Sequence, residues 1–327
     1  MLYTRTRTHL QAALALPVLL ALAAPQAHAQ LKIIPTYDST ITSDANSTTI
    51  KNTIQSAINV YQATFINPVT VNITFGEMSG GLGQSLTYIN TVSYADYTTA
   101  LKKNEQGQGF LNSVPNTNPL NNGGVTTTLA DLRTLGFSGY DIASDSTISL
   151  NTSLMNLSRS GSQDSQKYDL MAVASHEIDE VLGLGSALNG LSNGAAAPTG
   201  AIGSLDLFRY SANGTRSFNT SQSTAAYLSA DGGKSYIVYF NQTQGGDFHD
   251  FYSDGSNSRA VRGPAQVQDA FGSPGTQENL GSSEITALQM VGYNLAAAPE
   301  PSAFAAFAVG LLGLGALALK ARKRTAA

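Results

Sequence analysis

Apolar positions along the chain recur at a few clear periods, and these set the expected elements. Over residues 46–65, Ile50, Ile54, Ile58 and Tyr61 fall at helical spacing, which predicts an amphipathic helix. Residues 68–75 alternate instead, with Val69, Val71, Ile73 and Phe75 set against polar neighbours, the pattern of a half-buried strand. A short strand is expected at 31–37, a glycine-rich turn at 78–84, an edge strand at 86–93 and a short helix at 94–103. Residues 107–125 read as loop, 129–135 as a helical turn and 147–154 as a strand. The best-marked helix covers 166–184. Its apolar stripe is Leu170, Val173, Ala174, Ile178, Val181 and Leu182, and Gly183 and Gly185 end it. Loops and short strands follow, 236–240 among them, with a last helix at 282–290 and no internal repeat. Strands and helices segregated in this way predict the α+β class.

The two ends carry different signals. Residues 1–29 read as a secretory signal peptide: Arg5 and Arg7, an apolar stretch over 10–24, and the small-x-small pattern Ala27-His28-Ala29 before Gln30. At the other end Pro299-Glu300-Pro301 precedes an uncharged apolar stretch, 302–319, then Lys320, Arg322, Lys323 and Arg324. Eighteen such residues just span a bilayer, and the basic cluster keeps the terminus cytoplasmic. Pro-Glu-Pro, one transmembrane helix and a basic tail resemble the PEP-CTERM sorting signal of Gram-negative bacteria. That resemblance implies export, a single-pass intermediate in the inner membrane, and release to the cell surface or medium by a sorting transpeptidase or protease. The expected organisation is leader 1–29, ectodomain 30–298 and sorting segment 299–327.

Composition narrows the ectodomain's chemistry. The chain has no cysteine, so in an exported protein disulfides are excluded as the stabilising device. Of 18 Lys+Arg and 22 Asp+Glu, removing Arg5, Arg7, Lys320, Arg322, Lys323, Arg324 and Glu300 leaves 12 and 21, a net charge of −9. Such a surface repels phosphate backbones, so nucleic acid is not an expected partner. Only His176 and His249 survive removal of the leader.

One of those two opens the run His176-Glu177-Ile178-Asp179-Glu180. Residues four apart share a helix face, so His176 and Glu180 can hold one cation, with Glu177 beside it. This is the HExxH helix of a zinc hydrolase with glutamate in place of the second histidine. Gly183 stands seven residues after His176, where HExxHxxGxxH proteases have their glycine turn, and Ser186 occupies the third-histidine position. Serine is a poor zinc donor, so a third ligand must come from elsewhere. On ligand chemistry His249 comes first and Asp250 next, with Asp247 and Asp206 as further carboxylates. Glu177 is the expected general base. The competing expectation is a solvated acidic helix face. Ser175 beside His176 makes no catalytic triad, and Gly80-Gly81-Leu82-Gly83 lacks the context of a dinucleotide site.

Ala174-Ser175-His176-Glu177-Ile178-Asp179-Glu180-Val181-Leu182-Gly183 resembles the HEIxEVxG helix of a group of exported bacterial zincin-like metalloproteases. The likeness continues through Leu205-Asp206-Leu207-Phe208-Arg209-Tyr210-Ser211 and Leu228-Ser229-Ala230-Asp231-Gly232-Gly233. Further points are Gly246-Asp247 with Asp250, Asp269-Ala270-Phe271 with Ser273-Pro274-Gly275, and the stretch from Glu284 to Tyr293. The resemblance implies a zincin-like (metzincin-like) catalytic domain with a mixed sheet, a central metal-binding helix, Zn2+ as cofactor and a peptide or protein as substrate. The group does not regularly carry histidine at the position of His249, which brings Asp250 forward. A non-catalytic zincin scaffold at the cell surface or in an exopolysaccharide matrix is the alternative it allows.

Overall fold

The computed structural model describes residues 30–104, 109–120, 123–189, 191, 200–253 and 264–296. The expected leader, 1–29, and the expected sorting segment, 299–327, with its expected transmembrane helix lie outside these residues. No helix among the described residues is long and apolar enough to cross a membrane.

Six principal strands are β1 (Lys32–Tyr37), β2 (Thr70–Glu77), β3 (Gly83–Thr87), β4 (Ile89–Ser93), β5 (Gly124–Thr128) and β6 (Ser146–Leu150). Six helices are α1 (Ser39–Thr42), α2 (Ser47–Thr64), α3 (Tyr94–Asn104), α4 (Leu129–Thr134), α5 (Leu170–Leu182) and α6 (Ser282–Val291). The main sheet has the order β1-β2-β6-β3. Its first three strands are parallel, and β3 closes one edge antiparallel to β6. The architecture is thus mixed α+β.

One face of this sheet is apolar. Val71, Ile73, Phe75, Ile148 and Leu150 are buried and belong to one core with Ile50, Ile54, Ile58 and Tyr61 of α2 and Ile178, Val181 and Leu182 of α5. Burying each such side chain contributes roughly 1.5–3 kcal/mol, which holds α5 firmly over the sheet. At its start Asp169 caps α5 by accepting the Ala172 N–H at 3.1 Å. It ends at Gly183, whose φ of 123° suits glycine alone. The predicted helix at 166–184 therefore starts later, because Tyr168–Asp169 pairs with Met155–Asn156 as a short strand.

The expected edge strand at 86–93 is two strands in two sheets. β3 ends at Thr87, and β4 begins at Ile89 and pairs with β5. Apolar residues continue across the break, so hydrophobicity does not mark it, and Leu86, Tyr88 and Ile89 are all exposed. β3 also begins inside the predicted glycine turn, and β5 inside the predicted loop, where the run Gly-Val-Thr-Thr-Thr has no alternation. The strand expected at 147–154 stops at Leu150 and gives way to a 3-10 turn, Thr152–Leu154. C-terminal to α5 the chain is loop-rich, with a small sheet from Arg209–Ala212, Thr215–Arg216, Tyr227–Leu228 and Val238–Tyr239, before α6 closes the core.

Candidate metal centre

Beside β3, α5 presents His176, Glu177 and Glu180 to a cleft of about 850 Å³. The turn before β3 and the start of the strand supply Gly81 to Ser85 as one wall, and the loops 244–250 and 266–273 form the opposite side. Glu177 is 5% exposed, and Glu180 has 14% of its side chain exposed. The expectation of a solvated acidic face is therefore not met. Asp179 points the other way, into the core. Tyr61 Oη lies 2.8 Å from Ser175 O and 2.9 Å from Asp179 Oδ1, so its one hydrogen faces two acceptors. A protonated Asp179 satisfies both. Burial, reinforced by Glu284, holds its carboxyl well above the ordinary range.

His176 is oriented by the backbone of a distant segment. Its Nδ1–H donates to Val267 O at 2.9 Å, which leaves Nε2 facing the acids. That Nε2 stands 3.8 Å from Glu180 Oε1 and 3.6 Å from Asp250 Oδ1. His176, Glu180 and Asp250 offer donor atoms that all lie within 4.8 Å of one another. Zinc bonds of about 2.0–2.1 Å in a tetrahedron place donors roughly 3.3 Å apart, so a small inward movement closes this triad around an ion. One imidazole and two carboxylates are acceptable zinc donors, and the residues fit the ion.

His249, the first choice for third ligand on chemistry alone, also converges on the site, with its Nε2 against Glu180 and Asp250. Asn189 Oδ1 accepts the Phe248 N–H at 2.9 Å, so its amide nitrogen is the group 2.6 Å from His249 Nδ1. In the neutral ring the proton then resides on Nε2, which donates to Glu180 Oε1 at 3.0 Å and lies 3.2 Å from Asp250 Oδ1. Asp247 joins Glu180 and His249 in a second, overlapping group. Asp206 does not converge on the site. It is buried and accepts from Ser186 Oγ at 2.5 Å, Ala187 N at 2.9 Å and Gly203 N at 2.8 Å, which ties the turn after α5 to the following segment.

Charge in the cleft is strongly coupled. Burial alone would depress both imidazoles, but Asp250 and the neighbouring glutamates raise His176 to about 10 and His249 to about 9. Glu180 runs the opposite way: burial favours its acid form, yet His249, His176 and the Ser85 hydroxyl bring it to about 2. Ser85 Oγ–H donates to Glu180 Oε2 at 2.5 Å. Burial, followed by repulsion from Glu180, pushes Glu177 well above 4.5. Asp250 is also raised by burial, with His176 and His249 opposing.

Several supporting residues carried no sequence signal. Ser85 sits on β3, Asn189 beyond α5, and Gln268 donates through Nε2 to Asp250 Oδ1 at 2.8 Å. Glu284 of α6 accepts the Gln268 N–H at 3.2 Å and the Gly281 N–H at 3.1 Å, fixing the strap that orients His176. Arg209 is wholly buried. It donates to Phe248 O at 2.6 Å and Gln242 Oε1 at 2.9 Å, bracing the loop that carries Asp250. Apart from the alternation that faces Ser85 toward α5, each is recruited by a contact that spans at least 16 positions of chain. Comparison of this chain with protein-family models, curated proteins and solved structures finds no match.

Proposed function

We propose that this chain is a zinc-dependent peptidase, with His176, Glu180 and Asp250 as metal ligands and Glu177 as general base. The observation that carries this reading is the convergence of His176 Nε2, Glu180 Oε1 and Asp250 Oδ1 in the cleft, with a buried glutamate of raised pKa beside them. His249 is assigned the role of a donor that orients both ligand carboxylates. When bound, zinc would polarise the scissile carbonyl and make the attacking water more acidic.

The chain's own residues do the rest. Glu177, desolvated and repelled by Glu180, accepts the proton of the attacking water and returns it to the leaving amine. Ser85 and His249 hold the two oxygens of Glu180, so that carboxylate cannot swing into the base's place. β3 lies at the sheet edge and its first half lines the cleft, which suits an extended peptide adding as a further strand. Delivery to the cell surface by the 299–327 segment belongs to the same proposal.

Zinc content and peptide hydrolysis measured together test it. Wild type should retain one zinc after dialysis, His176→Ala none, and Glu177→Gln the zinc without the hydrolysis. Equal, negligible zinc in wild type and His176→Ala would sink the metal; hydrolysis surviving Glu177→Gln would sink the base. A chain that keeps its zinc but cleaves no member of a peptide library would be the non-catalytic scaffold.

A further inference from the structure

The strap at 266–270 carries a buried polar atom without a partner. Gln268 is 0% exposed, and its Oε1 has no hydrogen-bond partner among the described residues. Its Nε2 is 2.8 Å from Asp250 Oδ1 and 3.5 Å from His176 Nε2. The second separation is close to those within the ligand triad, 3.6 Å and 3.8 Å, and the first is a hydrogen bond. The end of the amide therefore occupies the position of a further vertex of the same donor cluster. The atom placed there is the nitrogen, whose hydrogens face an acid and an imidazole where a cation would otherwise lie.

Resting on the metal-centre reading, we propose that Gln268 is a fourth protein ligand, presenting its amide oxygen to the ion. The exchange needs only a half-turn about the last side-chain torsion, which is broad for glutamine. The backbone does not have to move. Gln268 N–H is held by Glu284, Gln268 O accepts the Phe251 N–H at 2.7 Å, and Val267 O holds His176. The turn gives the orphaned oxygen a partner, while Asp250 exchanges its amide donor for the ion. The turn moves the amide nitrogen into the place the oxygen leaves, and a cation held by the triad, which repels the amide hydrogens and attracts the oxygen, favours it.

The assignment changes the character of the centre. Three of its four protein donors become oxygens and one stays an imidazole, a harder set than that of an all-histidine site, and with the attacking water the ion would be five-coordinate. Manganese should therefore bind appreciably alongside zinc, which histidine-rich shells favour more strongly.

Replacement by glutamate separates a ligand from an orienting donor, because the two roles predict opposite signs. The full chain, stripped of metal, is titrated with Zn2+ against a competing chelator. Gln268→Ala should bind roughly 10- to 100-fold more weakly than wild type. Gln268→Glu should bind at least as tightly, since a carboxylate is a stronger ligand for the ion. Weaker binding by Gln268→Glu overturns the proposal, because a second carboxylate against Asp250 weakens a site that needs a donor there. Should Gln268→Glu fail to fold by circular dichroism, X-ray absorption at the zinc edge decides between wild type and Gln268→Ala. Loss of one oxygen scatterer sustains the proposal, and an unchanged shell overturns it. Absence of zinc binding by the wild type, or undiminished binding by His176→Ala, defeats the metal centre itself and with it the role of Gln268.

Discussion

A methyl group placed on Gly83 tests the link between β3 and the base. Built on the backbone, that carbon falls on Glu177 Oε1, 3.0 Å from Glu177 Cδ and 2.9 Å from Val173 Cγ1. Val173 is packed against the core, so the carboxylate is the group that must yield. Overpacking of this kind costs roughly 1–3 kcal/mol. Loss of glycine's freedom in the unfolded chain offsets roughly 0.4–1 kcal/mol of it. The melting temperature should then fall by at most about 10 °C. Activity should suffer far more, since displacing a catalytic group by about 1 Å costs roughly 100-fold. Zinc affinity should stay within a few-fold, because Glu177 is not a ligand. The matched control is Gly80→Ala on the same stretch, where a new carbon meets nothing within 4 Å. Peptide hydrolysis, zinc titration and thermal melts on the three chains are the assay. Wild-type kcat/KM in Gly83→Ala would refute the reasoning, as would equal losses in both variants.

Zinc affinity should rise with pH: His176, held at about 10, must lose its Nε2 proton before ligating, so affinity climbs about tenfold per unit below that value. A flat profile in a chelator competition would contradict this. Asp131, wholly buried, accepts from Thr127 Oγ1 at 2.8 Å and Tyr97 Oη at 3.2 Å, and burial raises it to about 8. A raised folded pKa gives stability that is present in acid and lost as pH rises through that value. Asp131→Asn should therefore hold its urea midpoint between pH 4 and 8, where wild type declines; parallel curves would count against it. Tyr61→Phe leaves Ser175 O or Asp179 unmatched inside the core and should cost roughly 1–3 kcal/mol in urea unfolding, with unchanged stability as the refuting result.

Legibility in the sequence followed the range of the interaction. Ile50, Ile54, Ile58 and Tyr61 repeat at helical spacing, and all four are buried where α2 meets the core. His176 and Glu180 were readable for the same reason, since i,i+4 spacing is a local property of one helix. The division between β3 and β4 was not readable, because Leu86, Tyr88 and Ile89 keep an apolar character while lying exposed. Asp250 and His249 are neighbours, and the proposed function reverses the order in which ligand chemistry alone ranks them. That choice rests on the contact of Asn189 with Phe248, which spans 59 residues. Gln268 and Glu284 are ordinary polar residues in sequence, and only the path of the strap gives them work.

The glutamate on the last helix has a bearing on timing. A ribosome releases His176 and Glu180 long before Asp250, the strap and finally Glu284 emerge. Nascent or carboxy-terminally clipped chains thus hold half of a donor set, with nothing to align it. Under the proposed function, competence arrives only once Glu284 has emerged, a latency written into the connectivity of the chain.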